Sequence, residues 1–323
     1  MSSPPVSVIL PVRNEASHIL EAIRSALSQQ YSGSLEVIVA DGASTDGTPD
    51  LVKRLAAEDP RVLLVGNPDG TTPAGLNEAI RRASGEIIVR LDGHALLPSG
   101  YVARAVAELA AHDADNVGGV QRAVGQGPLQ EAVALAMSIP LGVGDSRFHY
   151  GGPAGPTDTV YLGVFRKSVF DRIGMFDESL ERNQDYELNY RIRAAGGTVW
   201  FDPELEVEYR PRRSLSELWR QYFEYGTWKR VVLKRNPRSL RLRQLAPVAL
   251  VLGLLASLFL SILGSRLALI VPVIYTLAIA IGTLVYGRQV RAEVAVRLPL
   301  ALLTMHVGWG SGFILGVPKR IRE

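Results

Sequence analysis

Leu245 to Leu263 and Leu267 to Tyr286 contain no charged residue. Each is close to the roughly 20 residues an α-helix needs to cross a bilayer, so both are predicted to span one. A third apolar run, Leu298 to Val317, carries His306 and glycines at 308, 312 and 316. That GxxxGxxxG register predicts close helix packing, either within the chain or between copies as a homo-oligomer. Lys229, Arg230, Lys234, Arg235, Arg238, Arg241 and Arg243 precede the first run, whereas only Arg266 stands between the first two. Basic flanks stay inside, so the part before the first run is expected to face the cytoplasm. If the third run also spans, Lys319, Arg320 and Arg322 end outside, against that rule. A re-entrant third segment is the alternative.

The rest of the chain must supply something other than an anchor. At 323 residues and 47% hydrophobic, the protein is longer than one typical domain and should have more than one part. The absence of cysteine excludes disulfides and thiolate metal sites, and fits a reducing compartment. A net charge of +3 hides a crowding of basic residues between Arg210 and Arg243, next to the apolar third. This points to a membrane surface and away from nucleic acid. Met1 to Pro5 has no apolar core, so no secretory leader is expected before the first strand. Ser214 to Lys229 opens with a capping box, Ser214 and Glu217, and carries Leu215, Leu218, Trp219, Tyr222, Phe223 and Tyr225. It is predicted as an interfacial amphipathic helix, with a buried helix of the soluble core as the alternative. The expected division is residues 1–210, then a basic helix and linker over 211–244, then the membrane region 245–323.

Within the first 100 residues a repeating unit is legible. Val6 to Val12 reads as a buried strand, followed by Arg13-Asn14-Glu15 and an amphipathic helix from about Ser17 to Gln29. Leu35 to Ala40 is a second strand, and Asp41 to Thr48 a polar loop punctuated by glycine. A helix to about Glu58, a strand at Arg61 to Val65 and a helix at Pro73 to Ala83 lead into a strand beginning at Glu86. That strand ends in Leu91-Asp92-Gly93-His94. Strand, loop and helix in alternation predict a mostly parallel sheet with helices on both faces. Glu15, Asp41 and Asp92 then gather at the carboxyl edge, where such sheets bind ligands. Neither G-x-G-x-x-G after the first strand nor G-x-x-x-x-G-K-[ST] occurs, which argues against a dinucleotide dehydrogenase or a P-loop NTPase. Residues 142–158 are dense in glycine and proline and read as an irregular loop, either a mobile lid or a surface excursion. Gln184 to Arg193 reads as a helix with Asp185 in its first turn, where the helix dipole favours a carboxylate. The plain alternative makes Asp185 no more than a helix-start residue, with Glu187, Arg191 and Arg193 as a solvated charged face.

The blocks Val-Ser-Val-Ile-Leu-Pro-Val-Arg-Asn-Glu, Val-Ile-Val-Ala-Asp-Gly-Ala-Ser-Thr-Asp-Gly-Thr and Leu-Asp-Gly-His, in this order, resemble the start of a family 2 inverting glycosyltransferase of the GT-A fold. More narrowly, the chain resembles the ExoA-type succinoglycan-biosynthesis glycosyltransferases. The resemblance implies an α/β nucleotide-sugar-binding domain followed by an α-helical membrane region. It places Pro11, Arg13, Glu15, Asp41 and Asp92 at the nucleotide-sugar donor, with Asp41 on the uracil of a UDP-sugar, UDP-glucose favoured. A divalent cation, Mn or Mg, would be held by Asp92 and His94, and Asp185 would be the catalytic base. The expected acceptor is a lipid-linked saccharide in a cell (inner) membrane, with transfer directly to polyprenyl phosphate as an alternative. A non-catalytic nucleotide-sugar-binding scaffold is an alternative of another class.

Three departures from the family pattern stand out. His94 replaces an aspartate, and imidazole suits Mn²⁺ better than Mg²⁺. Gln184 stands where the family has Glu before the base. Gln221 is followed by Tyr222, Phe223, Glu224 and Tyr225, not by the Gln-x-x-Arg-Trp of processive members, so transfer of a single sugar is expected.

Overall fold

A computed structural model describes residues 3–318. The strands are β1 (Val6–Val12), β2 (Leu35–Asp41), β3 (Val62–Gly66), β4 (Ile87–Arg90), β5 (Asn116–Ala123), β6 (Gly155–Pro156), β7 (Tyr161–Arg166) and β8 (Val199–Tyr209). The helices of the first half are α1 (Ile19–Leu27), α2 (Thr48–Glu58), α3 (Thr72–Arg82), α4 (Tyr101–Ala111), α5 (Pro128–Met137) and α6 (Pro140–Val143). Those of the second half are α7 (Ser168–Ile173), α8 (Gln184–Ala194), α9 (Leu215–Arg235), α10 (Leu245–Ile262), α11 (Ile270–Tyr286), α12 (Ala292–Ala295) and α13 (Leu298–Leu315). Two compact units result, one made of residues up to Gln121 with Gly151–Glu208, the other of Arg122–Tyr150 with the chain from Tyr209 onward.

The first unit is built on a sheet of order β3-β2-β1-β4-β7-β5-β8-β6. β3, β2, β1 and β4 run parallel, as the alternating units predict, and β7 joins antiparallel to both β4 and β5. The central strand β1 is apolar on both sides, since Val8, Ile9 and Leu10 are fully buried. Burying each such side chain contributes on the order of 1.5–3 kcal/mol. Val6, Val8, Leu10 and Val12 share a cluster with Ile19 and Ile23 of α1, Val52 of α2 and Val102 of α4. Ile9 and Pro11 alternate to the other face. There α3 covers the sheet so closely that a Cβ on Gly75 would lie 3.1 Å from Pro11 Cβ.

Among the described residues of the second unit, three helices are long and apolar enough to cross a membrane, Leu242–Ile262, Arg266–Gln289 and Ala292–Leu315. Lys319, Arg320 and Arg322, whose side was in conflict with the charge rule, lie outside the described residues. The glycine register of α13 is used within the chain. A Cβ on Gly312 would lie 2.0 Å from the Phe223 carbonyl oxygen and one on Gly316 1.8 Å from Thr227 Oγ1, so α9 and α13 pack backbone to backbone. Gly310 faces elsewhere, 2.3 Å on the same measure from the Pro247 carbonyl of α10.

Helix α9 begins where the sequence places it, with Ser214 Oγ accepting from Glu217 N at 3.3 Å, and runs on to Arg235. It buries Leu218, Tyr222, Trp228, Val231 and Val232, while Trp219 remains 40% exposed. Its aromatic face is therefore largely occupied by protein. Residues 122–150 pack with these helices: Val133, Ala136, Met137 and Ile139 share a cluster with Leu218, Tyr222, Leu298, Leu302 and Met305.

The expected irregular stretch 142–158 is more ordered than its composition suggests. Pro140 occupies the first turn of α6, where its missing N–H costs nothing, Arg147–His149 form a 3-10 turn, and β6 pairs with β8. Gly144, Gly151, Gly152 and Gly155 take the positive φ angles between these pieces. Chain through Tyr150 belongs to the second unit and chain from Gly151 to the first.

Candidate active site

The carboxyl ends of β1, β2 and β4 deliver the predicted donor-side residues to one edge of the sheet. Parallel pairing sets Pro11 beside Ala40 and Val12 beside Asp41. The loops after these strands are stitched together by side chains. Asn14 N–H donates to Ser44 Oγ at 2.8 Å while Asn14 Oδ1 accepts from Thr45 N at 2.8 Å. Glu15 N–H donates to Thr48 Oγ1 at 2.9 Å, and Ala16 N–H to Asp46 Oδ2 at 2.9 Å. The hydroxyl of Thr48, then the N–H of Ala16, hold the Asp46 carboxyl below its usual range. Arg13 extends over the β3–α3 turn, where Gly70 at φ +65° leaves room for its guanidinium.

Asp41 is the acceptor of this edge. Its Oδ2 accepts from Ser44 N at 3.1 Å, but its Oδ1 is buried and has no hydrogen-bond partner. Beside it, Asn67 N–H donates to the Asp41 carbonyl at 2.8 Å, and Asn67 Oδ1 is likewise buried and unpartnered. Two buried acceptors without donors are costly unless something brings N–H or O–H groups to them. Sequence reading found Asp41 from its loop and missed Asn67, which carries no local signal beyond following a strand.

The loop after β4 carries Asp92 and His94. Gly93 lets it close onto β1, since a Cβ there would lie 2.9 Å from Val12 Cγ1 and 3.0 Å from Glu15 Cγ. His94 Nδ1 then sits 3.0 Å from Glu15 Oε1, with the imidazole about half exposed. In the neutral tautomer that donates from Nδ1, Nε2 is the ring's acceptor atom. Among the described residues no group of three or more His, Cys, Asp or Glu side chains forms a metal cage. A donor set of one carboxylate and one imidazole nonetheless fits a divalent ion whose other positions go to water and diphosphate oxygens.

The residue that organises the edge is Arg90, which sequence reading took for part of a buried strand. Its side chain is only 7% exposed. Arg90 Nε and Nη2 donate to Asp92 Oδ1 at 3.2 and 3.0 Å, and Nη1 donates to Asp185 Oδ1. Burial works against the guanidinium, but Asp185 and then Asp92 more than offset it, so its pKa is raised and the group stays a cation. One arginine thus joins carboxylates 93 positions apart, each bonded through its Oδ1. Asp185 stands in the first turn of α8, after Asn183 in the left-handed region at φ 63°.

Glu187 does not fit the alternative of a solvated charged face. It is 4% exposed and pairs with Arg191 at 2.8 Å, which in turn donates to the carbonyls of Ile173 and Met175 at 2.7 Å. It fixes the turn before α8 instead of facing solvent.

A mostly parallel sheet with acidic loops at its carboxyl edge, followed among the described residues by three helices long and apolar enough to cross a membrane, is the architecture of a GT-A-type enzyme. The chain belongs to glycosyl transferase family 2, whose family model matches residues 7–174. It is 33% identical over 317 residues to the succinoglycan biosynthesis protein ExoA of Rhizobium meliloti, covering 95% of this chain and 93% of that protein. It is 24% identical over 323 residues to a Methanococcus voltae dolichyl N-acetyl-α-D-glucosaminyl phosphate 3-β-D-2,3-diacetamido-2,3-dideoxy-β-D-glucuronosyltransferase, covering 97% of each. Among solved structures, the mannosyltransferase PcManGT of Pyrobaculum calidifontis in complex with GDP-Man and Mn²⁺ shares the fold. Its TM-score is 0.64 at 24% identity, over 95% of this chain and 87% of that one.

Proposed function

We propose that this glycosyltransferase moves one sugar, with inversion, from a UDP-sugar to a polyprenyl-diphosphate-linked saccharide, UDP-glucose being the favoured donor. The observation that carries the proposal is the Arg90 bridge, which sets the candidate donor-side carboxylate Asp92 and the candidate base Asp185 on a single guanidinium. Inverting transfer needs a base at the acceptor hydroxyl, on the face of the anomeric carbon opposite the leaving diphosphate, and Asp185 is the carboxylate proposed for it. The lipid-linked acceptor is supported by the dolichyl-linked sugar for which the Methanococcus relative is named and by the three apolar helices.

In this reading Asp41 Oδ1 receives the imide N–H of uracil, satisfying an acceptor that has no partner among the described residues. Arg13 lies over the adjoining turn as a cation for the nucleotide. Asp92 and His94 would hold a divalent cation, which when bound neutralises charge on the departing diphosphate. Asp185 accepts the proton of the acceptor hydroxyl as that oxygen bonds to the anomeric carbon, and the carbon's bond to the diphosphate breaks to release UDP. Arg90 takes no proton; it positions Asp185 and Asp92. Gln221, where processive relatives begin their motif, is spent on the hydroxyls of Tyr209 and Tyr225 at 3.0 and 2.8 Å, which suits a single transfer. The basic flank before α10 supports a cytoplasmic orientation of the first unit.

A screen of labelled nucleotide sugars against lipid acceptors, with purified protein in detergent, tests this. The expected result is label passing from a UDP-hexose into the lipid phase with the opposite anomeric configuration. Transfer only from GDP-sugars would remove the uridine assignment, and retention of configuration would remove Asp185 as the single base.

A further inference from the structure

The third apolar helix, α13, is as long as the first two but sits differently. Of its apolar stretch 39% is buried within the protein, against 11% and 17% for the stretches of α10 and α11. Charge holds both of its ends. Arg288, Arg291 and Arg297 precede it, and Arg291 Nη2 lies 2.7 Å from Glu131 Oε1 of α5. At the far end Arg230 of α9 donates to the carbonyl of Ile314 at 2.9 Å and to that of Gly316, acceptors that the last turn of a helix leaves unpaired. In the middle, His306 Nε2 lies 2.9 Å from the Leu141 carbonyl of α6, and its Nδ1 lies 3.0 Å from the Tyr275 hydroxyl of α11. A spanning helix would bring this imidazole near the bilayer centre, where a polar ring is costly.

We propose that α13 does not cross the bilayer but lies along its cytoplasmic surface beside α9, the pair sunk into the headgroup and upper acyl region, so that among the described residues only α10 and α11 span. The first reason is depth. Gly310 stands twelve residues after Leu298, about 18 Å along the helix axis. A helix crossing from Leu298 would carry Gly310 past the middle of a core roughly 30 Å thick. Gly310 instead meets the head of α10, where a Cβ on it would lie 2.3 Å from the Pro247 carbonyl oxygen and 2.7 Å from Val251 Cγ2. Pro247 is the third residue of α10, about 3 Å from its start. α13 therefore gains little depth over three turns. The second reason is its companion. Gly308 faces Trp219, Gly312 faces Phe223 and Gly316 faces Thr227, so α9 and α13 run side by side in the same direction. Beyond Thr227, α9 carries Lys229, Arg230, Lys234 and Arg235, which a descending pair would drag into hydrocarbon. The third reason is the face left uncovered. Leu300, Leu303 and Leu315, 51%, 41% and 70% exposed, share one side of α13, and Trp219 of α9 is a residue type that favours the boundary. One apolar stripe beside a basic helix suits a single leaflet, entered to a depth of about 5–10 Å. Lys319, Arg320 and Arg322, next in sequence, then need not be carried across, and the conflict with the charge rule disappears.

This inference rests on the cytoplasmic orientation proposed above only for the name of the side. The chain has no cysteine, so single cysteines report position in the full-length protein. Spheroplasts expressing Ser265→Cys, Gln289→Cys or Val317→Cys are treated with a membrane-impermeant maleimide before and after lysis. Ser265→Cys should react in intact spheroplasts, and Gln289→Cys and Val317→Cys only after lysis. Reaction of Val317→Cys in intact spheroplasts with Gln289→Cys protected would overturn the surface helix, since α13 would then cross. The converse pattern, in which Gln289→Cys and Val317→Cys react in intact spheroplasts and Ser265→Cys does not, defeats the orientation alone and leaves the surface helix standing. Depth gives a second reading that does not depend on insertion in cells. Bimane on Leu300→Cys and on Val307→Cys, in the full-length protein in nanodiscs, is quenched by lipids spin-labelled near the headgroup or near the chain end. Both positions should be quenched more by the headgroup-proximal label, with thermal midpoints close to that of the wild type. Stronger quenching of Val307→Cys by the chain-end label, with Leu300→Cys still shallow, would overturn the proposal.

Discussion

Replacing Arg90 by methionine removes a buried cation while keeping most of its volume, and the structure sets what should follow. Three N–H donors leave at once, two on Asp92 and one on Asp185, whose side chains are 23% and 37% exposed. Breaking a buried ion pair from one side costs on the order of 3–5 kcal/mol. Partial exposure of both carboxylates lets water take up some of that, so a loss near the lower end is expected. The catalytic consequence should be larger than the loss of stability suggests, because the two carboxylates then repel and lose their common anchor. A displacement of about 1 Å can cost on the order of 10²-fold in rate. The assay is steady-state transfer at a temperature where the variant remains folded by thermal melt. kcat should fall on the order of 10²-fold with donor KM changed far less, and added guanidinium ion should partly restore Arg90→Ala. Arg90→Lys should fall between, since one ammonium cannot reproduce the planar fork that reaches both partners. A folded Arg90→Met enzyme with wild-type kcat would refute the bridge as a positioning device.

Other expectations follow from single side chains. Asp185→Asn keeps the shape and removes the basicity, so kcat should drop about 10²- to 10⁴-fold with donor binding, measured calorimetrically, nearly intact. Asp41→Ala removes the unpartnered acceptor and should weaken UDP binding about 10- to 100-fold in the same calorimetric assay. With His94→Asp, metal titration of the transfer rate should show preference shifting from Mn²⁺ toward Mg²⁺; unchanged metal dependence in His94→Ala would exclude His94 as a ligand. Gly312→Val forces atoms into the Phe223 carbonyl and should lower the thermal midpoint of the detergent-solubilised protein, with no such effect from Ala at exposed Leu303.

What the sequence disclosed and what it hid divide along a physical line. The parallel half of the sheet was legible because strands buried on both faces read as uninterrupted apolar runs, and the acids after β1, β2 and β4 fall at one edge by topology alone. The apolar helices were legible from length and charge. Arg90 was not, because a charge ending an apolar strand has no local meaning until Asp185, 95 positions later, arrives beside it. The burial of Glu187 was hidden for the same reason, its partner Arg191 being anchored on a turn that periodicity cannot place. The face of α9 looked like a membrane surface because aromatic and basic residues suit one. The glycines of α13 show that much of it meets a helix of the same chain, and only the fold could pair the two patterns.

The most direct test is the chemical structure of the lipid made by the purified enzyme. Labelled UDP-hexose is incubated with a polyprenyl-diphosphate saccharide, and separately with polyprenyl phosphate, and each product is read by mass spectrometry. The expected product is one hexose heavier than the saccharide acceptor, with its diphosphate retained and the new linkage inverted, and none is expected from polyprenyl phosphate. A sugar monophosphate lipid formed from polyprenyl phosphate, with the saccharide acceptor left untouched, would contradict it.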